Sequence, residues 1–188
     1  GVIKNLLPKV DHLIIGGAMA FTFLKALGYE TGGSLVEPDL IDTARDLLAQ
    51  ADELGKSILL PTDIVAAEAV EAGVAKKLVP ADEIPDTMKG LDIGPETVAR
   101  FAKVIAAAGT IVWNGPMGVF EIPDFADGTM QIARHVAESG AITVIGGGDS
   151  VAAIKKAGVA SKITHISTGG GASLEYLEGI DLPGIAVL

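Results

Sequence analysis

The chain has 188 residues, of which 20% are charged and 49% belong to the AVILMFWYC set, enough apolar material for one domain with a real core. A formal net charge of −10 excludes a broad nucleic-acid-binding face, which needs clustered Lys and Arg. The absence of cysteine excludes disulfides and thiolate metal sites and is compatible with a reducing cytoplasm.

No apolar run reaches membrane-spanning length, so no membrane partner is expected. The segment from Gly1 to Val10 reads as helix, with Val2, Ile3, Leu6, Leu7 and Val10 on one face. It carries neither a signal-peptide pattern nor an initiator Met and reads as the middle of a helix, so the chain is expected to be a piece of something longer. An apolar run at 12–15 predicts a strand, and the pattern over 18–28 predicts a helix closed by Gly28, with Phe21, Phe23 and Leu24 as core. A helix over 38–54 opens at Pro38 and closes at Gly55. Gly55-Lys56-Ser57 looks like the end of a P-loop, but Gln50 stands where the first glycine belongs and Lys56 precedes a strand, so it is read as a helix stop. Strands are predicted at 57–60 and 75–79. Asp63, after Pro61-Thr62, either lines a cleft or starts a turn. The stretch 80–94, with Pro80, Asp82, Glu83, Pro85, Asp86, Gly90, Asp92 and Gly94, reads as a long polar flap beside a cleft.

The second half repeats strand and helix: helix 95–108, opened by Pro95-Glu96 and closed by Gly109, strand 110–113, helix 127–138, strand 141–145, helix 150–157, strand 163–166 and helix 172–178. Such alternation predicts an α/β fold, a doubly wound, mostly parallel sheet with helices on both faces, Rossmann-like, with ligands at the carboxyl ends of its strands. The G-x-G-x-x-G fingerprint is absent, and no carboxylate ends a second strand about 20 residues after Gly17, which argues against a dehydrogenase. His12, His135 and His165 show no ligand spacing and are read as surface or packing residues.

Four glycine-rich turns each follow an apolar run and precede a helical segment. A strand that feeds a glycine turn and a helix start gathers bare N–H groups and a positive dipole end, the arrangement that holds phosphate. Gly16-Gly17-Ala18 is either a tight strand-to-helix turn or a flat floor for an adenine ring. In Trp113-Asn114-Gly115-Pro116-Met117-Gly118-Val119-Phe120-Glu121, Asn114 offers an amide, Val119 an apolar wall and Glu121 a carboxylate suited to ribose hydroxyls; the alternative is a structural loop around a buried Trp. In Gly146-Gly147-Gly148-Asp149-Ser150, Asp149 or Ser150 would cap a helix, or Asp149 would hold Mg²⁺ on nucleotide phosphates. Three consecutive glycines exceed what a cap requires. Thr168-Gly169-Gly170-Gly171-Ala172-Ser173 repeats the arrangement, with amides able to receive a phosphoryl group.

Together these turns, with Gly16 to Lys25, Gly90-Leu91-Asp92-Ile93-Gly94-Pro95 and Ser167 to Glu175, resemble the C-terminal, nucleotide-binding half of the phosphoglycerate kinase family over residues 1–188. The resemblance implies adenine between Gly16, Gly17 and a wall of Gly90, Leu91 and Val119. It implies ribose on Glu121, a path to the phosphates past Asn114 and Pro116, and phosphates with Mg²⁺ at Gly147, Gly148, Asp149 and Ser150, Asp149 being the metal ligand. Gly148, Gly170 and Gly171 would serve the transferring group. The implied activity is reversible phosphoryl transfer between 1,3-bisphosphoglycerate and Mg-ADP, in the cytoplasm, as a step of glycolysis. In the family a central strand, a lysine-bearing turn and a whole N-terminal domain that binds the phosphoglycerate come before the position of Gly1. Ala18 stands where some relatives have a third glycine. The chain alone is therefore expected to be inactive, at most a weak nucleotide-binding or structural module, and to associate or swap through an open sheet.

Overall fold

A computed structural model describes residues 1–169 and 171–186. The chain opens with α1 (Val2–Leu6) and a 3-10 turn over Leu7–Lys9, which seats Leu7 fully in the core. Strand β1 (His12–Ile14), helix α2 (Gly17–Ala26), the short β2 (Glu30–Thr31), helix α3 (Ile41–Glu53) and strand β3 (Ser57–Leu59) follow. β1 and β3 are parallel, His12 opposite Ser57 and Ile14 opposite Leu59. Ala44, Leu47 and Ala51 recur at helical spacing on α3 and meet Leu7, Ile15, Ala20 and Phe23 in one core. Phe21, Phe23 and Leu24 are buried as the sequence predicts.

The next stretch departs from expectation. Strands β4 (Asp63–Ala67), β5 (Lys76–Pro80), the short β6 (Glu83–Ile84) and β7 (Lys89–Ile93) are present, and β5-β4-β7 form an antiparallel sheet. The strand expected at 75–79 thus exists but lies outside the parallel sheet, and the region 80–94 is not a polar flap. Ala81, Ile84, Met88, Leu91 and Ile93 are buried, and β6 pairs with β2. Glycine and acidic residues between these apolar positions hide their alternation. Asp63 neither lines the cavity nor merely starts a turn. Its carboxylate accepts the Glu96 and Thr97 N–H groups at 3.0 and 2.7 Å and the Thr97 hydroxyl at 2.6 Å, and so anchors the helix that follows.

That helix is α4 (Pro95–Ala107); then come β8 (Thr110–Asn114), α5 (Asp127–Glu138), β9 (Ile142–Gly146), α6 (Gly148–Lys156), β10 (His165–Ile166), α7 (Gly171–Leu177) and α8 (Pro183–Ala186). β8, β9 and β10 form a parallel sheet with β9 in the middle and Asn114 opposite Gly146 at its carboxyl end. Phe101 and Ile105 of α4, Ile132, Ala133 and Val136 of α5, and Ile154 of α6 close over Trp113 and Ile145. Ile14 and Leu59 pack on the same core, so β1-β3 and β8-β9-β10 are two pieces of one layered α/β body. The class is the Rossmann-like α/β fold that the alternation predicts. Among the described residues no helix is long and apolar enough to cross a membrane, and all three histidines are exposed.

Candidate functional site

The parallel strands end on one edge, and their turns are joined there by hydrogen bonds. The Gly17 N–H donates to the Met117 carbonyl at 3.1 Å, which brings the turn after β1 against the turn after β8. Gly17 has φ +64°, and a Cβ there would stand 2.7 Å from the Pro116 carbonyl oxygen, so only glycine permits this approach. The Gly17 amide is therefore spent inside the protein, and what the turn offers a ligand is its flat surface. Ser150, fully buried on α6, accepts the Gly115 N–H at 2.6 Å and joins the turn after β8 to the turn after β9. The Ser167 and Ser173 hydroxyls, 2.5 Å apart, close the last turn, and Gly146 lies beside Ser173.

A cavity of about 1010 Å³ opens at this edge. Eight predicted residues line it: Gly16, Gly17, Gly90, Leu91, Asn114, Pro116, Val119 and Glu121. It continues between β1 and β8, past Ile14 and Val112, down to α1 and α7. Gly147, Gly148, Asp149 and Ser150 stand next to it, at the start of α6. The N–H groups of Gly148, Asp149 and Ser150 come before the first helical bond, from Val151 N to the Gly147 carbonyl at 3.1 Å, and no side chain caps the helix. Asp149 is exposed and makes no ion pair among the described residues, a free carboxylate beside bare amides. That donor set fits a hard divalent cation shared with phosphate oxygens. Gly171 begins α7, whose Leu174 and Leu177 line the cavity, while Gly170 lies outside the described residues. Trp113 is buried, its indole N–H donating to the Gly115 carbonyl at 2.5 Å, so the turn from Asn114 to Glu121 is a structural loop around a Trp as well as a cavity wall.

That turn is held on every side. Met117 N–H donates to the Thr129 hydroxyl at 3.0 Å, and Val119 N–H to the Leu91 carbonyl at 2.8 Å. The Lys156 ammonium donates to the Phe120 carbonyl at 2.6 Å. Gly118 lies so close to β7 that a Cβ would fall 2.5 Å from the Leu91 carbonyl oxygen and 2.6 Å from Asp92 Oδ1. Gly118→Ala is therefore expected to cost about 1–3 kcal/mol, because a backbone carbonyl cannot swing aside as a side-chain end can. The urea midpoint would show it; an unchanged midpoint would mean that the turn gives way freely.

Asp92 is 3% exposed and accepts N–H bonds from Ile93 at 2.9 Å and Gly128 at 2.8 Å. Burial pushes its carboxyl up to about 7. The two N–H bonds oppose that shift, Asp127 adds to it slightly and Lys76 relieves it slightly. Sequence reasoning named Asp92 only within the polar stretch 80–94 and the Gly90 to Pro95 motif, without its role, and missed Thr129 and Lys156. No motif marks those two, since each acts from another element through a contact that the fold creates.

Comparison with known proteins adds the following. A family model described as Phosphoglycerate kinase matches residues 1–180. The chain is similar to the phosphoglycerate kinase of Thermus thermophilus, at 57% identity over 100% of this chain and 48% of that protein. It is 59% identical to that of Pelotomaculum thermopropionicum over the same shares. The solved phosphoglycerate kinase from Coxiella burnetii superposes with a TM-score of 0.96 at 44% identity, over 99% of this chain and 48% of that one. The one from Pyrococcus horikoshii superposes with 0.83 at 32%, over 100% and 47%. The chain thus spans about half the length of the relatives it matches.

Proposed function

The chain belongs to the phosphoglycerate kinase family, and we propose that it forms the Mg-ADP/ATP-binding side of such a kinase. The observation that carries this reading is the continuity of the site. One turn, Asn114 to Glu121, lines a cavity with apolar walls and is bonded through Gly115 to the start of α6, where amides stand uncapped. Adenine lies against the Gly16-Gly17 surface and the wall of Gly90, Leu91 and Val119. Glu121 takes the ribose hydroxyls, and the phosphates run past Asn114 and Pro116 to Gly147, Gly148 and the Ser150 N–H. Asp149 holds Mg²⁺, which supplies charge neutralisation on the phosphate oxygens when bound. Gly148 and Gly171 present amides to the transferring phosphoryl group, a role that the resemblance implies for Gly170 as well.

The reaction is phosphoryl transfer between 1,3-bisphosphoglycerate and ADP, the glycolytic step in the cytoplasm. The acid substrate is bound by the other half of the protein. No side chain here need form a covalent intermediate, since direct in-line transfer asks for position and charge stabilisation. In the separated chain the unpaired edges of β1 and β8 along the cavity would favour association with that half or with a second copy. A module that binds nucleotide without chemistry is the second reading for the chain alone, favoured by the scarcity of cations around the cavity.

Calorimetric titration with ADP tests the assignment. Affinity is expected to rise with Mg²⁺ in the native chain, and Asp149→Asn is expected to remove most of that gain, about tenfold, while leaving metal-free ADP binding in place. An Mg²⁺ dependence that survives Asp149→Asn would remove Asp149 from the metal site.

A further inference from the structure

The proposed phosphate end and ribose end of the site both hang on one helix. α6 begins beside the uncapped amides, and its buried Ser150 fixes Gly115 near the start of the turn. Six residues later, in the last turn of the same helix, Lys156 donates to the Phe120 carbonyl at 2.6 Å, and its ammonium stands 5.7 Å from the centre of the Phe120 ring. Phe120 is itself 5% exposed, packed with Ala126, Met130 and Ala153, so the ring is held in place by its own contacts. The Phe120 carbonyl belongs to the peptide plane that leads into Glu121. The surrounding backbone is tight, with Phe120 N–H on the Gly118 carbonyl at 2.9 Å and Ile122 N–H on the Val119 carbonyl at 3.1 Å. Turning that plane is what would re-aim Glu121, and the Lys156 ammonium opposes the turn.

We propose that Lys156 is a positioning residue for ribose recognition. By fixing the Phe120–Glu121 peptide plane it aims the Glu121 carboxylate into the cavity, and α6 thereby sets the distance between the phosphate and ribose ends of the nucleotide. The charge-assisted bond suits this task, being stronger than a neutral one and made where the ring excludes water from one side. Lys156 touches no ligand atom itself. The inference rests on the reading of Glu121 as the ribose ligand.

The test measures Kd by calorimetry for ADP and for 2′,3′-dideoxy-ADP in the full-length protein that carries this segment. Wild type is expected to prefer ADP. In Lys156→Met, which keeps the apolar stem over Phe120, the preference is expected to shrink about five- to tenfold, through ADP alone. Lys156→Arg is expected to restore it, and melting temperatures would be recorded for each variant. A merely structural lysine would weaken both ligands together or lower the melting temperature without altering the ratio, and either result overturns the proposal. If Lys156→Met does not fold, Lys156→Gln gives the same comparison. Equal binding of the two ligands by wild type would instead remove Glu121 from the ribose site and the proposal with it. A preference that persists unchanged in Lys156→Met and Lys156→Gln would overturn the role of Lys156 alone.

Discussion

The 188-residue chain assayed by itself for phosphoglycerate kinase turnover is expected to give none, and addition of the complementary half of a relative is expected to restore it. The reason lies in the charges around the proposed nucleotide. Among the described residues lining the cavity, Lys89 is the single basic side chain, set against Asp92 and Glu121. Glycine amides and one helix start can seat phosphates, each helix end contributing about half a charge. They cannot neutralise the charge spread over a phosphoryl group in flight, for which kinases use lysine, arginine and metal together. A neighbouring cation or arginine in such a site is worth about 10³–10⁵ in rate. On the proposed reading the acid substrate is held by the complementary half, so the chain alone also lacks the positioning of that substrate, a separate entropic loss. A coupled assay would show the combined effect as turnover below detection, with Mg-ADP binding retained in calorimetry. Turnover by the chain alone would overturn this account, and so would a mixture of halves that binds but never turns over.

How much of this was legible in the sequence follows from which contacts are local. The turns after β1, β8, β9 and β10 could be read because glycine runs after apolar strands carry a conformational requirement in the sequence itself. The helices over Pro95–Ala107 and Asp127–Glu138 were likewise legible from apolar spacing such as Ile132, Ala133 and Val136. β4 and β7 were not. β4 ends in Ala66-Ala67, residues of little strand preference that are completely buried, and β7 buries a carboxylate between Leu91 and Ile93. Their place is set by tertiary pairing, including a shifted register between Val65 and Ala66 opposite β7. Within the site the chain order named the cavity wall but not its supports. Thr129 and Lys156 sit 12 and 36 residues from the turn atoms they hold, a separation that carries no periodic signal. The same holds for the Gly17 amide, which donates to the Met117 carbonyl one hundred residues away.

The stability of the folded chain is expected to fall as pH rises from about 4 to about 7, and Asp92→Asn is expected to flatten that slope. In the unfolded chain this carboxyl releases its proton near the ordinary value of 3.8, whereas in the folded chain burial holds the proton up to about 7. Between those values folding takes up a proton. This group therefore contributes a loss of about 1.4 kcal/mol per pH unit, or about 4 kcal/mol across the window, and nothing further above about 7. The surrounding groups explain why the shift is not larger. Gly128 opens the first turn of α5 and lends its N–H, Ile93 lends another, and Lys76 on β5 offsets some of the repulsion from Asp127. Asn can still accept from Gly128 but carries no charge, so Asp92→Asn is expected to gain stability relative to wild type at pH 8, to keep part of that gain at pH 5 and to lie close to wild type only below about pH 4. Urea unfolding at half-unit pH steps measures both slopes, and parallel slopes for the two proteins would show that Asp92 ionises normally in the fold. The position of the residue gives the result a second consequence. Asp92 touches the Gly118 approach and the start of α5, two of the places where the Asn114 to Glu121 turn meets the rest of the chain. The desolvated charge thus sits beside the proposed nucleotide wall, and nucleotide that binds only the folded chain should offset part of the expected loss.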